Sequence, residues 1–327
     1  MCASIGSRKM FVGARGACAP ARTVGLGGVL RSFSSAVSAN RPRRSYLYMP
    51  GSNQRALEKA KTLPADGLIL DLEDAVSPAA KETAREEVYA AVNGAGFGTR
   101  EVMVRVNHLE SPWGRDDAAK MSASTGIDAL LLPKVENATE VEALERIMVD
   151  HGAREDLGIA CMIETPLGVL NALSIARASP RVMALVVGTT DLAQELRANH
   201  TRDRDPFAYS LSMCVLAARA ANVAVLDSVH IHLDDEDEFV HHCRQGRDFG
   251  FDGKTLIHPK QIQAANDIFG ISSGDVDHAR QVIEAFESAT QAGHGVVTLH
   301  GKLVERMHVT EAQRVLDMAG ILHNSVV

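Results

Sequence analysis

The chain has 327 residues, a formal net charge of -7 and 46% hydrophobic residues. It is too long for a small disulfide-stabilised domain and too apolar for a disordered chain, so we expect one large α/β domain or two smaller ones. The mild acidity argues against a general nucleic-acid-binding protein, which needs a basic face. The sequence also lacks an uncharged apolar run of about 18 residues, which argues against a membrane-spanning helix.

The first 40 residues differ in composition from the rest. Between Met1 and Gln54 there are eight Lys or Arg residues and no acidic residue, and the first acid is Glu58. An Arg-rich, Ser-rich and acid-free segment without a continuous apolar core is typical of an organelle transit peptide. We therefore predict a transit peptide over residues 1–40 and a mitochondrial matrix location. A plastid location and a simple disordered tail are the alternatives.

Short apolar runs alternate with stretches of helical spacing over residues 41–270. The eight runs are Ser45–Met49, Gly67–Leu72, Val102–Val106, Ala129–Leu132, Gly158–Ile163, Val182–Val187, Val223–Leu226 and Lys254–Ile257. The helix candidates include Gln54–Lys61, Ala79–Val92, Ala138–Met148, Leu167–Ala178 and Phe207–Ala221. Repeated strand–helix units predict a parallel (β/α)8 TIM barrel. A doubly wound open sheet is the alternative, but the number of runs and the lack of a glycine fingerprint after the first one argue against it.

Residues 271–327 exceed what closure of a barrel requires. Val276–Ala289 and Val309–Ala319 have helical spacing, and the glycine-containing stretch 293–297 separates them. We predict a C-terminal helical extension that acts as a lid over the barrel mouth or docks on a neighbouring subunit.

Charged residues follow the apolar runs at the carboxyl ends of the predicted strands, where barrel enzymes place their chemistry. Glu164 and Asp191 end neighbouring runs. Two carboxylates that converge on one mouth bind a cation or repel each other, and oxygen-only ligation suits Mg²⁺. Arg105 supplies a fixed positive charge that stabilises a developing enolate or alkoxide beside a metal. We predict a magnesium site formed by Glu164 and Asp191.

A second acidic group follows the second run. Asp71 and Glu73 share one face of an extended chain, and Asp74 follows directly. We predict that these three residues orient metal-bound waters or Arg105. A structural ion pair of Arg105 with Glu73 or Asp74 is the alternative, and it is compatible with the first role.

Arg55 and Lys59 lie four residues apart on the first predicted helix and therefore share a face. This face borders the predicted mouth and is a candidate site for phosphates, although most such pairs are only surface charges.

Histidines in the segment after the seventh run raise the question of zinc. His230 and His232 are two positions apart, and His241 and His242 follow. The acidic stretch 234–238 between them is typical of a solvated helix start, so no zinc site is predicted here. No Cys-x-x-Cys motif is present either.

Several motifs, taken in order, resemble the citrate lyase β-subunit family. That family includes malyl-CoA and citramalyl-CoA lyases and the mitochondrial citrate lyase β-like proteins. The motifs are Arg44-Ser-Tyr-Leu-Tyr-Met-Pro-Gly51, Leu70-Asp-Leu-Glu-Asp-Ala-Val76, Val104-Arg-Val-Asn107, Leu132-Pro-Lys134, Ile163-Glu-Thr-Pro-Leu-Gly168, Gly188-Thr-Thr-Asp-Leu192 and Gly250-Phe-Asp-Gly-Lys-Thr-Leu-Ile-His-Pro-Lys-Gln-Ile262. The resemblance extends from about Arg43 to Ala319.

This resemblance implies a Mg²⁺-dependent barrel that makes or breaks a C–C bond next to a CoA thioester. By motif, Glu164 and Asp191 are the metal ligands and Arg105 contacts the thioester. The implied CoA-binding residues are Tyr48, Arg55 and Lys59, with Ile257 and His258 beside the adenine end. The family resemblance also implies a trimer or a dimer of trimers, in which the C-terminal segment covers a neighbour's active site.

The segment 301–305 departs from the family pattern at its catalytic acid. Where the family has Asp, this chain has Glu305, which is one methylene longer. Its carboxylate is displaced by roughly 1.5 Å, about one C–C bond. Proton transfer by Glu305 remains chemically feasible, and small misplacements of catalytic groups are costly.

The resemblance leads us to expect cleavage of malyl-CoA or citramalyl-CoA to acetyl-CoA and glyoxylate or pyruvate. Two alternatives stay open. The same site allows hydrolysis, which makes the chain a malyl-CoA thioesterase. The second alternative is that the chain is a citrate lyase β-subunit, or a protein that binds acyl-CoA but does not turn it over.

Overall fold

The computed structural model describes residues 41–94 and 96–324, and the predicted transit peptide lies outside them. Its eight parallel strands close into one barrel in chain order, with β8 paired to β1. The strands are β1 Ser45–Pro50, β2 Gly67–Asp71, β3 Glu101–Arg105, β4 Ala129–Leu132, β5 Gly158–Ile163, β6 Val182–Val187, β7 Ala224–Asp227 and β8 Gly253–Leu256. The TIM-barrel prediction is confirmed, and each observed strand overlaps the predicted run.

Helices follow the strands and surround the barrel. They are α1 Gln54–Ala60, α2 Lys81–Asn93, α3 Gly114–Ser122, α4 Ala138–Asp150, α5 Pro166–Leu170, α6 Ala172–Ala176, α7 Thr189–Leu196, α8 Ala208–Ala221, α9 Glu236–Phe249 and α10 Ile262–Phe269. The single helix predicted for Leu167–Ala178 is two short helices that meet at Asn171, whose side chain donates a hydrogen bond to the Glu136 carbonyl at 2.8 Å. None of the described helices combines the length and apolarity needed to cross a membrane.

Alternation along the strands produces two separate cores. Ile69, Met103 and Leu131 belong to the cluster inside the barrel. Leu68 and Leu70, the neighbours of Ile69 on β2, belong to the larger cluster between the strands and the helices. Because successive strand residues point to opposite faces, residues two positions beyond an inward-pointing one also point inward. The same alternation therefore decides which side chains reach the mouth.

The C-terminal segment forms a small structure of its own. It consists of α11 Ser273–Gln291, an antiparallel hairpin of β9 Val297–Leu299 and β10 Lys302–Val304, and α12 Arg306–Asn324. A cluster formed by Ala279, Val282, Val304 and Ala312 holds these elements together. The predicted helices are confirmed, and the hairpin replaces the predicted glycine-containing break.

This segment meets the barrel at the amino-terminal ends of the strands. Asp275 lies 3.4 Å from Arg247, at the end of the helix that leads into β8. The pKa of Glu311 is lowered by a hydrogen bond from Arg314 and by the nearby charge of Arg219, which ends the helix before β7. Arg247 and Arg219 both lie at the end of the barrel opposite the mouth, and the lid stays a prediction.

Candidate active site

Four residues that the sequence predicts for the site lie at the carboxyl-terminal mouth of the barrel, because they occupy inward-facing positions of their strands. Tyr48 lies two residues beyond Tyr46, Arg105 two beyond Met103, and Asp71 two beyond Ile69, all on inward-facing positions. Glu164 follows β5 with the same parity as Met162. The polar ends of these strands therefore meet above the apolar interior of the barrel, as the sequence predicts.

The Arg105 guanidinium is fixed by an acidic group. Its Nε and Nη2 atoms donate to the two carboxylate oxygens of Asp71 at 2.7 and 2.6 Å. Nη1 lies 2.9 Å from Glu73 Oε2 and 3.5 Å from Asp74 Oδ2. Burial alone lowers the pKa of Arg105, but the hydrogen bonds that it donates to Asp71 and the nearby negative charges outweigh burial and raise the pKa well above its ordinary value. The predicted orienting role of Asp71 and Glu73 and the predicted ion pairs are thus present together.

Tyr48 forms the apolar wall beside this group. The Arg105 guanidinium carbon lies 5.0 Å from the centre of the Tyr48 ring, a cation–π contact. The Tyr48 hydroxyl lies 3.7 Å from Met162 Sδ. Burial raises the pKa of Tyr48, so its hydroxyl stays protonated. The ring therefore limits how the guanidinium can turn.

Glu164 is buried at the carboxyl end of β5, with only 2% of its surface exposed. Its Oε1 atom accepts a hydrogen bond from the backbone N–H of Lys134 at 2.8 Å. Burial, and then the charges of Asp191 and Glu73, raise the pKa of Glu164 to about 7. A buried carboxylate that is costly to ionise at neutral pH is a good ligand for a cation, because a cation removes that cost.

Lys134 is a site residue that the sequence did not assign, although its Pro133-Lys134 motif ends β4. Its Nζ atom lies 3.2 Å from Glu73 Oε1 and 3.5 Å from Asp191 Oδ1. Burial opposes a charge there, but Glu73 and Asp74 outweigh it and raise the pKa of Lys134. Its φ of 50° turns the backbone so that both its N–H and its ammonium face the carboxylates. A lone lysine after a strand gives no sign of this bridging role.

The oxygen donors of the mouth fit Mg²⁺. The Lys134 N–H bonds to Oε1 of Glu164 and not to Oε2. Oε2 lies over Gly188, and a Cβ added to Gly188 would be 2.5 Å from Oε2. Asp191, in the first turn of α7, keeps 33% of its side chain exposed. Magnesium retains several waters and is held by one or two carboxylates together with substrate oxygens. A deep carboxylate beside a solvent-accessible one, with space kept by a glycine, matches that requirement.

The residues predicted for CoA lie on adjacent parts of the rim. Arg55 and Lys59 are exposed on α1, after β1. Ile257 and His258 are exposed after β8, which pairs with β1. His258 caps the following 3-10 turn, with Nδ1 accepting from the Lys260 N–H at 3.1 Å. The fold therefore groups these four side chains on one side of the mouth.

Glu305 is not part of this group. It follows β10, and its backbone N–H donates to His308 Nδ1 at 2.9 Å. The segment that carries it contacts its own barrel at the end opposite the mouth, where Asp275 lies 3.4 Å from Arg247. The chain thus assembles every predicted mouth residue except this acid.

The sequence profile of the HpcH/HpaI aldolase/citrate lyase family matches residues 44–259. The chain belongs to this family. It is 44% identical over 278 residues to the (3S)-malyl-CoA thioesterase of Cereibacter sphaeroides (strain ATCC 17025), covering 85% of this chain and 95% of that protein. It is 36% identical over 290 residues to the citrate lyase subunit beta of Leuconostoc mesenteroides subsp. cremoris, covering 86% and 95% of the two chains. The family predicted from the motifs is confirmed.

Solved structures are also similar. The CitE protein of Mycobacterium tuberculosis, crystallised with magnesium, acetoacetate and coenzyme A, has a TM-score of 0.71 and 27% sequence identity. The match covers 86% of this chain and 99% of that one. Magnesium and CoA are therefore bound by at least one structurally similar member of the family.

Proposed function

We propose that this protein is a Mg²⁺-dependent enzyme that acts on 3-hydroxyacyl-CoA thioesters of the malyl-CoA and citramalyl-CoA class and cleaves their C–C bond. The observation that carries this proposal is the arrangement of buried Glu164 and partly exposed Asp191 near an Arg105 held rigidly by Asp71. It brings two carboxylates that fit a divalent cation and one permanent positive charge into the same barrel mouth. That combination suits a reaction in which negative charge develops on a thioester oxygen.

Glu164 and Asp191 would hold the magnesium ion. When bound, Mg²⁺ supplies Lewis acidity toward a substrate hydroxyl and its neighbouring carboxylate. Exposed Arg55 and Lys59 offer positive charge to the phosphates of CoA, and Ile257 and His258 offer an apolar and a hydrogen-bonding surface to its adenine.

In the cleavage direction, the substrate's 3-hydroxyl gives its proton to water and becomes the carbonyl of the 2-oxo acid. The bond between C2 and C3 breaks, and its electron pair moves into the thioester as an enolate. Arg105 stabilises this oxygen charge without reorganising, because Asp71 already fixes its guanidinium. A proton then adds to the enolate carbon and gives acetyl-CoA.

We assign that last proton to Glu305 of a neighbouring copy. Its segment has a small core of its own and meets its own barrel away from the mouth, which leaves Glu305 outside its own site. This arrangement supports a homo-oligomer, a trimer or a dimer of trimers, in which one chain completes the site of the next.

A thioesterase is the second candidate function. It is favoured by the 44% identity to a (3S)-malyl-CoA thioesterase over 95% of that protein. In hydrolysis, water adds to the thioester carbonyl, the C–S bond breaks, and CoA leaves as the thiol. Arg105 would stabilise the same oxygen in this reaction, so the mouth geometry serves both outcomes.

The test is to incubate the full-length protein with Mg²⁺ and with malyl-CoA or citramalyl-CoA in separate reactions. Acetyl-CoA, free CoA and the 2-oxo acid are measured together. Equal amounts of acetyl-CoA and glyoxylate or pyruvate support the lyase and identify the acyl group. Free CoA with malate or citramalate makes the protein a thioesterase. CoA binding without turnover of either substrate contradicts both and favours a citrate lyase β-subunit or a binding protein.

We also propose that residues 1–40 direct the protein to the mitochondrial matrix, because this segment carries Arg and Ser but no acid. Fusion of residues 1–40 to a fluorescent protein tests the proposal. Matrix fluorescence that disappears when Arg15 and Arg22 are changed to Glu supports it. Fluorescence in plastids or throughout the cytosol overturns it.

A further inference from the structure

Three potential ligands converge beside the mouth, outside the site described above. His230 and His232 lie in the segment after β7, and Glu238 lies in the first turn of α9. Glu238 Oε2 is 2.9 Å from His232 Nδ1 and 3.8 Å from His230 Nε2. One nitrogen of each histidine and one oxygen of the carboxylate all lie within 4.8 Å of one another.

The hydrogen bonds of a fourth residue, His242, define the state of His230. His242 Nε2 lies 2.9 Å from the carbonyl oxygen of Arg202, which only accepts, so this nitrogen carries a proton. In a neutral imidazole the other ring nitrogen is an acceptor, so with Nε2 donating to this carbonyl the Nδ1 of His242 accepts. His230 Nδ1 lies 3.2 Å from that acceptor and must donate to it.

It follows that His230 Nε2 presents a lone pair. A neutral His230 ring that donates through Nδ1 has no proton on Nε2. His230 is only 3% exposed, and its Nε2 atom has no hydrogen-bond partner among the described residues. Glu238 Oε2, which is also an acceptor, lies 3.8 Å from it. A buried lone pair without a donor is unfavourable, and a cation between His230 Nε2 and the carboxylate would satisfy it.

We propose that His230 Nε2, His232 Nδ1 and the Glu238 carboxylate bind one divalent transition-metal ion, for which Zn²⁺ is the best fit. Zinc accepts imidazole nitrogen and carboxylate oxygen at about 2.0–2.2 Å, so neighbouring ligand atoms of a tetrahedral site are separated by ~3.3 Å. The separations of 2.9 and 3.8 Å at Glu238 Oε2 lie on either side of that value. Small side-chain rotations thus bring the three atoms into position.

The surroundings of the cluster support a zinc site. The chain from His230 Nδ1 through His242 to the Arg202 carbonyl fixes the ring and its tautomer, as outer hydrogen bonds do for metal-bound histidines. A cavity of about 20 Å³, lined in part by Thr190 and His200, adjoins the three ligands. It has room for about one water molecule, which would fill the fourth position.

This site differs chemically from the carboxylate site of the mouth. Imidazole ligands favour zinc and its transition-metal neighbours, whereas the oxygen donors Glu164 and Asp191 suit magnesium. The two sites are nevertheless close in the fold, because the cavity is also lined by Thr189 and Thr190, next to Asp191. A zinc ion would join the segment after β7 to α9 and stabilise that side of the mouth.

The experiment uses the full-length, untagged protein with Cys2→Ser and Cys18→Ser, so that these two thiols cannot bind zinc. The protein is stripped with a chelator and titrated with ZnCl₂ by calorimetry in excess Mg²⁺. We expect one equivalent of zinc to bind. His232→Ala and Glu238→Gln should each weaken this binding at least tenfold, and both replace partly exposed side chains, which favours correct folding.

Two controls separate this site from others. His241→Ala removes a neighbouring exposed histidine that bonds to Asp203 at 2.8 Å, and it should leave zinc binding unchanged. Glu164→Gln removes a mouth carboxylate and should also retain the zinc. As a second readout, zinc should raise the melting temperature of the parent protein but not of the His232 and Glu238 variants. Failure to bind one equivalent, or equal binding by parent, His232→Ala and Glu238→Gln, overturns the proposal.

Discussion

Asp71 and Arg105 lie opposite each other on β2 and β3, and their side chains form a two-pronged ion pair with N–O distances of 2.6 and 2.7 Å. The Asp71 carboxylate also accepts the backbone N–H groups of Glu73 and Ala75 at 2.9 and 3.1 Å. The loop after β2 therefore fixes the carboxylate, and the carboxylate fixes the guanidinium. Asp71 acts through Arg105 as a positioning residue.

We expect Asp71→Asn to lower kcat by about 10–100-fold while changing KM much less, because outer-shell partners typically contribute that much. The amide keeps the size of the side chain but loses one acceptor and the charge. Steady-state kinetics measures the effect, with malyl-CoA or citramalyl-CoA as substrate according to the product assay. Asp66→Asn is a matched control, since Asp66 forms a similar pair with Arg44 at 2.8 Å on the opposite end of the barrel. Equal losses of kcat in the two variants would contradict a specific role.

Gly188 gives a test of the magnesium site that does not alter a ligand. Its φ of -115° is available to any residue, so Gly188→Ala introduces no backbone strain. The added Cβ would lie 2.5 Å from Glu164 Oε2 and must displace it. We expect the Mg²⁺ concentration for half-maximal activity to rise at least tenfold, because small displacements of reacting groups are costly.

The control for this variant is Gly274→Ala, where the new Cβ would meet only Ser272 Oγ at 3.6 Å. Thermal melting shows whether each variant is folded. A folded Gly188→Ala protein with unchanged Mg²⁺ dependence would rule out Glu164 Oε2 as a ligand.

The sequence predicts which side chains reach the mouth wherever the alternation of inward and outward residues along a strand decides their direction. Glu164 and Arg105 follow apolar runs, and the parity of a buried strand places both on its inner face. Lys134 and Glu238 show where this reasoning ends. The direction of Lys134 depends on a left-handed φ of 50°, and Glu238 reaches His230 only because α9 begins at Glu236. The acidic stretch predicts that helix start correctly but does not reveal that one of its acids turns toward two histidines.

If Asp191 holds the proposed magnesium ion, Lys134 affects metal binding and substrate binding in opposite directions. Its ammonium lies between Glu73 and Asp191, so it repels a cation held by Asp191 and attracts an anionic substrate. We expect Lys134→Met to bind Mg²⁺ several-fold more tightly and to turn over more slowly. The gain is modest because the Lys134 side chain is 36% exposed and water screens its charge.

Calorimetry with Mg²⁺ and steady-state kinetics measure the two effects of Lys134→Met separately. Lys120→Met, which removes an exposed ammonium 2.8 Å from Glu86, should change neither. Weaker Mg²⁺ binding by Lys134→Met would show that the residue supports the metal instead of competing with it.

Asp227 stabilises the barrel through buried ion pairs with Lys254 at 2.9 Å and Arg204 at 2.7 Å. Burial alone raises the pKa of Asp227, but these two cations outweigh it and hold the pKa at about 2, below the ordinary 3.8. Because the pKa is lowered on folding, the stabilisation is complete above pH 3.8 and is lost as the pH falls toward 2. The difference between the two pKa values corresponds to about 2 kcal/mol.

We expect Asp227→Asn to lower the free energy of unfolding by about 3–5 kcal/mol at neutral pH, because two buried cations lose their partner. Urea denaturation at several pH values measures the difference from the parent protein, which should shrink as the solution approaches pH 2. Asp252→Asn, which removes an exposed pair with Arg219, should cost at most about 1 kcal/mol. A difference for Asp227→Asn that does not vary with pH would contradict the ionised pair.

Glu305 is the residue whose role depends most on a second copy. If it completes a neighbour's site, Arg105→Ala and Glu305→Gln damage different halves of a shared site. We expect each variant to be nearly inactive alone and co-expression of the two to restore part of the activity, since some sites then combine an intact Arg105 with an intact Glu305. Glu305→Asp should retain far more activity than Glu305→Gln, because it keeps a carboxylate.

The complementation requires that the two variants form mixed assemblies. Mixing is checked by giving the two chains different tags and by mass spectrometry of the intact assembly. A mixed assembly without activity would place Arg105 and Glu305 in the same site of one chain or remove Glu305 from catalysis. Substantial activity of Glu305→Gln alone would select the second explanation. Neither variant carries both an intact Arg105 and an intact Glu305. If only the mixed assembly is active, two chains must therefore contribute to one site.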